Sequence, residues 1–393
     1  MSRLAARKMR RTLPSINQRA HFPQQYSSIS SEPLSRPYKF HIGVSWAGKP
    51  PDPKVKPLKH PRFAAESPIG RWRDEMLVRP KHAVNLAKSA GEDFFYIADM
   101  RNQSVGKLAS QSCTIPNSSL FLSSPSGRAL SPLIQGIAFG VADGVGGWID
   151  SGVDPSLFSQ TLMYHAHRYS QTSWAGEPEI DPTQEYEDRE KVEGWEMTPF
   201  ECLELAYHGV LRERFVVAGS STACLIHLNS SSGKLRSANL GDSGFLIIRS
   251  SSIIYRSPSQ THFFNCPKQL TKFPSDSRKY ARNYNIDYPS AADSYEMKLR
   301  DGDIVIAYTD GLSDNVFPSD LVAICSLVAR SGGPEEQQVQ VMADRMVQYA
   351  QSCMHDRKKA SPFEKEAFRE GLFYKGGKID DVTVVTALVR ETI

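Results

Sequence analysis

The stretch "IAFGVADGVGGWIDSGVDP", Ile137 to Pro155, carries an apolar run up to Asp143 and then breaks into glycines. Two readings of Asp143 compete. Asp-Gly is a strong turn signal, because glycine accepts positive φ and the aspartate bonds its own backbone. The other reading is that Asp143 holds something charged. Its meaning depends on whether other carboxylates stand in the same topological place.

They do. Asp93 sits just before "FFYIAD", Asp310 ends "DIVIAYTD", and Asp380 and Asp381 precede "VTVVTALV". Asp242 lies in "NLGDSGF", between two strands. A carboxylate at the end of a core strand is costly unless something compensates its charge. Carboxylates gathered at one rim repel and raise one another's pKa. A bound divalent cation removes that conflict, and oxygen-only ligation selects Mg2+ or Mn2+ over zinc. Singly each aspartate reads as structural; together they read as shared metal ligands. Asp301-Gly302 is the control, since it precedes its strand in polar "KLRDGD" and reads as a turn. The spacing fits no EF-hand, and "DGVGGW" lacks the G-K-[ST] ending of a phosphate-binding loop.

Working outward, β-branched runs predict strands at 94–99, 137–143, 222–228, 235–240, 244–250, 252–256, 303–310 and 382–389. Helical patterns fall at 155–171, 198–215, 318–330, 335–353 and 362–370. Strands mostly in adjacent pairs, with helices between groups, predict an α+β fold: a β-sandwich of two antiparallel sheets flanked by helices. The acidic segment 173–196 has no apolar stripe and reads as a solvated insertion. Residues 36–80, rich in proline and lysine, read as an extended lead-in, with the globular domain running from Lys81 to 393.

The formal net charge of +4 over 393 residues comes from the N-terminus. Arg3, Arg7, Lys8, Arg10, Arg11 and Arg19 precede the first acid, Glu32, so the remainder is near neutral and offers no nucleic-acid-binding face. An Arg- and Ser-rich leader over 1–35, acid-free up to Ser31, reads as a mitochondrial transit peptide, with a disordered basic tail as the alternative. No apolar run approaches the roughly 20 residues that span a bilayer, so the chain is not expected to be an integral membrane protein. Cys113, Cys202, Cys224, Cys266, Cys325 and Cys353 form no C-x-x-C pair and none begins a C-x5-R loop. That signals neither a zinc site nor a disulfide framework and disfavours a thiolate phosphatase.

The motifs "GED" (91–93), "VADGVGGW" (141–148), "GSSTA" (219–223), "NLGDSG" (239–244), "YTDGLSDN" (308–315) and "DDVTVV" (380–385) resemble, in order and content, the metal-dependent PPM or protein phosphatase 2C family. The likeness covers roughly residues 81–390 outside the insertion. "VADGVGGW…GVDP", after a basic leader and "FHIGVSWAGK", resembles the mitochondrial subfamily linked to coenzyme Q biosynthesis.

The resemblance implies a PPM-type fold and a monomeric serine/threonine phosphoprotein phosphatase in the mitochondrial matrix. It implies two Mn2+ or Mg2+ ions per site that activate a water, with a position for a weaker third. Carried over by motif, Asp143 bridges the two ions, with Glu92, Asp93 and the carbonyl of Gly144 on one side. Asp310 and Asp380 hold the other ion, and Asp242 joins Asp310 at the third. Lys88, four residues before Glu92, grips the substrate phosphate. Two departures stand out. Val145 replaces a histidine that many members use to protonate the leaving group, leaving Asp314 as a candidate donor beside a turn role. Asp381 replaces the usual asparagine, with spacing favouring Asp380 as the ligand. Two other readings are a catalytically weak PPM-fold binding module and a hydrolase of small phosphate esters.

Overall fold

The C-terminal run Val382–Glu391 is buried from Val382 to Val389, as a strand covered on both faces must be. It is second in a five-stranded sheet. The structure, a computed structural model, describes residues 37–50, 62–79, 89–101, 134–171, 197–274 and 286–392. Ten strands form two sheets: β1 (Tyr38–Ala47), β2 (Phe94–Arg101), β3 (Ile134–Ala142), β4 (Ala223–Asn229), β5 (Lys234–Leu240), β6 (Gly244–Arg249), β7 (Ser252–Arg256), β8 (Asp293–Lys298), β9 (Ile304–Tyr308) and β10 (Val382–Glu391). One sheet has the order β1-β10-β9-β6-β7 and the other β8-β5-β4-β3-β2. Every pairing within them is antiparallel. The sheets pack face to face, with Trp46 of the first and Phe95 of the second 4.9 Å apart between ring centroids.

The helices are α1 (Pro68–Val78), α2 (Ser156–Gln171), α3 (Pro199–Arg212), α4 (Pro318–Ser331), α5 (Glu335–His355) and α6 (Pro362–Arg369). α2 and α3 cover the second sheet, and α5 lies on β1 and β10. No described helix is long and apolar enough to cross a membrane.

The expected α+β sandwich of two antiparallel sheets is the observed one, but its start differs from the sequence reading. β1 lies inside the predicted lead-in, yet it pairs with β10 over its whole length, from Tyr38↔Glu391 to Ala47↔Val382. α1 lies there too and buries Ile69, Trp72 and Met76. The physical reason is local. β1 carries His41, Gly43 and Ser45 among its apolar residues because α5 crosses it closely. Gln340 of α5 donates to the carbonyl of Val44 at 2.7 Å and accepts from its N–H at 3.2 Å. Short and polar residues at a close helix crossing hide the strand's period. The edge strand β8 was also unpredicted, since its residues are half-exposed or exposed and largely polar. Residues 1–36, the acidic insertion 173–196, Cys113 and Lys88 lie outside the described residues.

Register brings the strand-end aspartates together. Phe94 pairs with Ala142, so Asp93 and Asp143 emerge side by side. Tyr308 pairs with Val384 and Ala47 with Val382, so Asp310, Asp380 and the residues after β1 leave the other sheet at one end. β1 is therefore expected to be indispensable. A chain of residues 37–393 should melt cooperatively by circular dichroism, whereas one beginning at 81 should show no cooperative transition. Equal melting midpoints for the two would contradict the assignment of β1 to the core.

Candidate active site

Asp143 is no turn residue. Its N–H donates to Thr222 Oγ1 at 3.1 Å and its carbonyl accepts from the Thr222 N–H at 3.0 Å, so the chain runs on extended past β3. Gly144 bridges Ser221 and does not take positive φ, whereas Gly302 of the control pair does, at 78°. Gly144 is small for another reason. A Cβ there would fall 2.6 Å from the Pro155 carbonyl oxygen and 2.7 Å from that of Glu92. Gly311, after Asp310, is equally confined, with the Asp381 carbonyl oxygen 1.9 Å from where its Cβ would be. Both glycines serve close backbone approach at the site; only Gly302 serves a turn.

The carboxylates crowd one another. The pKa of Asp143 is raised well above the usual range by burial first, then by Asp310, Asp93, Asp380 and Asp242. Asp93, almost fully buried, is raised by burial and Asp381, although Thr309 donates to its Oδ2 at 2.7 Å. Asp242 is raised by burial, Asp310 and Asp314. Burial pushes Glu92 up to about 7 against the pull of Lys49, and Asp314 up to about 7 against that of Lys378. These interactions place Asp93, Asp143, Asp242, Asp310 and Asp380 within one electrostatic neighbourhood.

Two lysines absent from the sequence-derived set stand in it. Lys49 Nζ lies 2.8 Å from Glu92, 3.4 Å from Asp380 and 3.3 Å from Asp381. Burial alone would lower its pKa, but Asp381, Asp380 and Glu92 outweigh that and hold it charged. Lys378 Nζ lies 2.6 Å from Asp310, 2.8 Å from Asp314 and 3.1 Å from Asp380. Asp380 thus stands between both ammonium groups. Asp381 is spent differently: its oxygens accept from the backbone N–H of Lys49 at 2.7 Å and of Glu92 at 3.1 Å. Its part is to tie the end of β1 to the start of β2, and it is buried where Asp380 is partly exposed. The one sequence signal for Lys49 was its place two residues beyond an apolar run, in "FHIGVSWAGK".

The donor set suits a hard divalent cation, being all oxygen. Asp93 Oδ1 and Asp242 Oδ1 are buried without a hydrogen-bond partner, an arrangement that is costly unless a cation or solvent takes the lone pairs. Among the described residues, no group of three His, Cys, Asp or Glu side chains stands ready-made to grip an ion. Lys49 and Lys378 stand among the carboxylates and contact them instead. Beside the cluster, Asp242 and Asp314 form part of the wall of a cleft of about 900 Å³, shared with Arg256, Phe263, Phe363 and Lys365.

No family model matches the chain. The Protein phosphatase PTC7 homolog of Xenopus laevis is 37% identical over 252 residues, 64% of this chain and 76% of the relative. The human PTC7 homolog is 37% identical over 252 residues, 64% of this chain and 75% of its own length. The 5-azacytidine resistance protein azr1 of Schizosaccharomyces pombe is 37% identical over 251 residues, 64% and 76% respectively. The crystal structure of the photosystem II phosphatase PBCP superposes with a TM-score of 0.53 at 21% identity, covering 89% of this chain and 98% of that one, and shares the fold. The chain belongs to the PPM-type (protein phosphatase 2C) protein serine/threonine phosphatases, in their PTC7-like branch.

The crowding has a consequence in chelator. Glu92 and Asp314, each near 7 when folded, keep protons that the unfolded chain has released above its ordinary carboxylate range. The folded state then binds more protons, so stability falls as pH rises through that window. Burial lowers the pKa values of His165, His167 and His227, which pull the other way, so the test is a difference: in EDTA, lowering the pH from about 8 to about 6 should raise the melting midpoint of the wild type relative to that of a Glu92→Gln/Asp314→Asn variant. Parallel pH profiles for the two would refute the crowding.

Proposed function

We propose that this chain is an active, divalent-cation-dependent phosphatase of phosphoseryl and phosphothreonyl proteins in mitochondria. The carboxylate constellation carries the reading: oxygen ligands alone, held at one end of a two-sheet sandwich, with orphaned acceptors on Asp93 and Asp242. Asp143, Asp93, Glu92 and the Gly144 carbonyl would hold one ion, Asp310, Asp380 and Asp143 a second, and Asp242 with Asp310 a third. When bound, such ions act as Lewis acids toward water and the phosphoryl group.

The chain's own residues do the rest. Thr222 fixes Asp143 through both backbone bonds, and Thr309, itself held by the Thr383 N–H at 2.9 Å, fixes Asp93. Ser159 donates to the Glu92 carbonyl at 2.6 Å and so sets the loop that carries both acids. The cleft beside Asp242 and Asp314 receives the substrate segment. Val145 has no proton to give, so the leaving seryl or threonyl oxygen takes its proton from another group. Asp314, on the cleft wall and pushed up to about 7, is the candidate donor. The intact set of aspartates favours this reading over a binding module, which has no chemical need for them.

Location and substrate rest on the leader and on the likeness to the coenzyme-Q-linked subfamily. An acid-free basic leader is drawn inward by the membrane potential, at about 2.3 kcal/mol per charge per 100 mV. We place the enzyme in the matrix, acting on proteins such as components of coenzyme Q biosynthesis.

Two experiments test these proposals. The purified chain should hydrolyse a phosphothreonine peptide with Mn2+ or Mg2+ and not in excess EDTA. Asp143→Asn should lose activity by about two orders of magnitude or more while remaining folded, since charge stabilisation of a transition state is worth that much. Asp301→Asn should be nearly neutral. Equal behaviour of the two variants would return Asp143 to a structural role. Separately, residues 1–40 fused to a fluorescent protein should enter mitochondria, and replacing Arg7, Lys8, Arg10 and Arg11 with Glu should leave the fusion cytosolic. Import that survives those changes would remove the case for the leader.

A further inference from the structure

Lys378 sits where a lysine is costly to bury, and the fold takes pains to seat it. Its backbone is gripped from both sides by Asn315, which is 1% exposed. Asn315 Nδ2 donates to the Lys378 carbonyl at 2.9 Å, and Asn315 Oδ1 accepts from the Lys378 N–H at 2.9 Å. The same Nδ2 reaches the Gly311 carbonyl at 2.9 Å, so one amide ties the loop before β10 to the turn bearing Asp310. The ring of Phe363 faces the ammonium at 5.2 Å, a distance at which a cation is attracted to the π-face. From this seat Nζ contacts Asp310, Asp314 and Asp380 at 2.6, 2.8 and 3.1 Å. A compact ammonium bridging oxygens of three carboxylates neutralises them much as a small metal ion does.

We propose that Lys378 is a positioning residue that serves as a built-in cation at the Asp310–Asp314–Asp380 corner, orienting two metal ligands and limiting how many divalent ions the site takes up. This rests on the reading of the cluster as a divalent-ion site. The charge argument sets the direction. Without the ammonium, those carboxylates and the orphaned Asp242 Oδ1 face one another uncompensated, and a corner so charged recruits another cation. The seat also explains why Asn315, in "YTDGLSDN", is an amide: a side chain with both donor and acceptor holds the backbone N–H and the carbonyl of residue 378 at once.

Calorimetric binding of Mn2+ to the full, EDTA-stripped chain tests the proposal. Lys378→Gln keeps a hydrogen-bond donor but not the charge; Lys378→Arg keeps the charge. The Gln variant should take up one further Mn2+ or bind its weakest ion about tenfold tighter, because a unit charge a few ångströms from a divalent ion is worth at least that factor. The Arg variant should bind as the wild type does. Should Lys378→Gln fail to fold, Asn315→Ser, which loosens the seat and keeps the lysine, should shift binding the same way by a smaller factor. Unchanged or weaker binding in the folded charge-loss variant, or in Asn315→Ser standing in for it, would overturn the role of Lys378. Failure of the wild type to bind Mn2+ at all would overturn the divalent-ion reading and this inference with it.

Discussion

Mutual repulsion among carboxylates is the constraint around which this fold is arranged. Antiparallel register delivers Asp93 and Asp143 from one sheet, and Asp310 and Asp380 from the other, to a single end of the sandwich. Burial strips Asp93 and Asp143 of water, and the carboxylates around them raise the affinity of both for protons. A site so charged persists only if cations and donors offset it. Lys49 and Lys378 supply two ammonium groups, Thr309 a hydroxyl, and the backbone of Lys49 and Glu92 two N–H groups for Asp381.

That constraint explains why the strands beneath the site are so apolar. β3, β4, β9 and β10 carry Phe139, Val141, Leu225, Ile226, Val305, Ala307, Val385 and Ala387 at essentially no exposure. Burial of this kind, worth roughly 25 cal/mol per Å² of apolar area, holds the rim rigid against its own electrostatics. Strands also fix carboxylates more tightly than free loops would. The glycines at 144 and 311 then let backbone segments approach closely enough to place Glu92, Asp381 and Asp143 in one neighbourhood.

Much of this was legible in the chain, for a physical reason. A carboxylate at the end of a β-branched run is anomalous, and the anomaly repeated at Asp93, Asp143, Asp310 and Asp380. The Asp-Gly pair at 301 could be told from that at 143 by its polar surroundings, and positive φ at Gly302 alone bears out the distinction. What escaped notice lacked such contrast. β1 is broken by residues that suit a helix crossing, and proline- and lysine-rich flanks concealed it. Lys49 and Lys378 carried no such signal, because nothing local to "WAGKP" tells that Lys49 will meet Glu92, Asp380 and Asp381, and nothing in "GGKIDD" tells that Lys378 will meet Asp310 and Asp314 as well as Asp380. Partners of that kind are a property of the tertiary fold.

The central claim is that these carboxylates gather in order to hold divalent ions for phosphoester hydrolysis. Anomalous diffraction at the manganese edge, from crystals grown with Mn2+, tests it most directly. Strong peaks bounded by Asp93, Asp143, Asp310 and Asp380 are expected. Featureless anomalous density there, with Mn2+ present at saturating concentration and the phosphatase active, would contradict it.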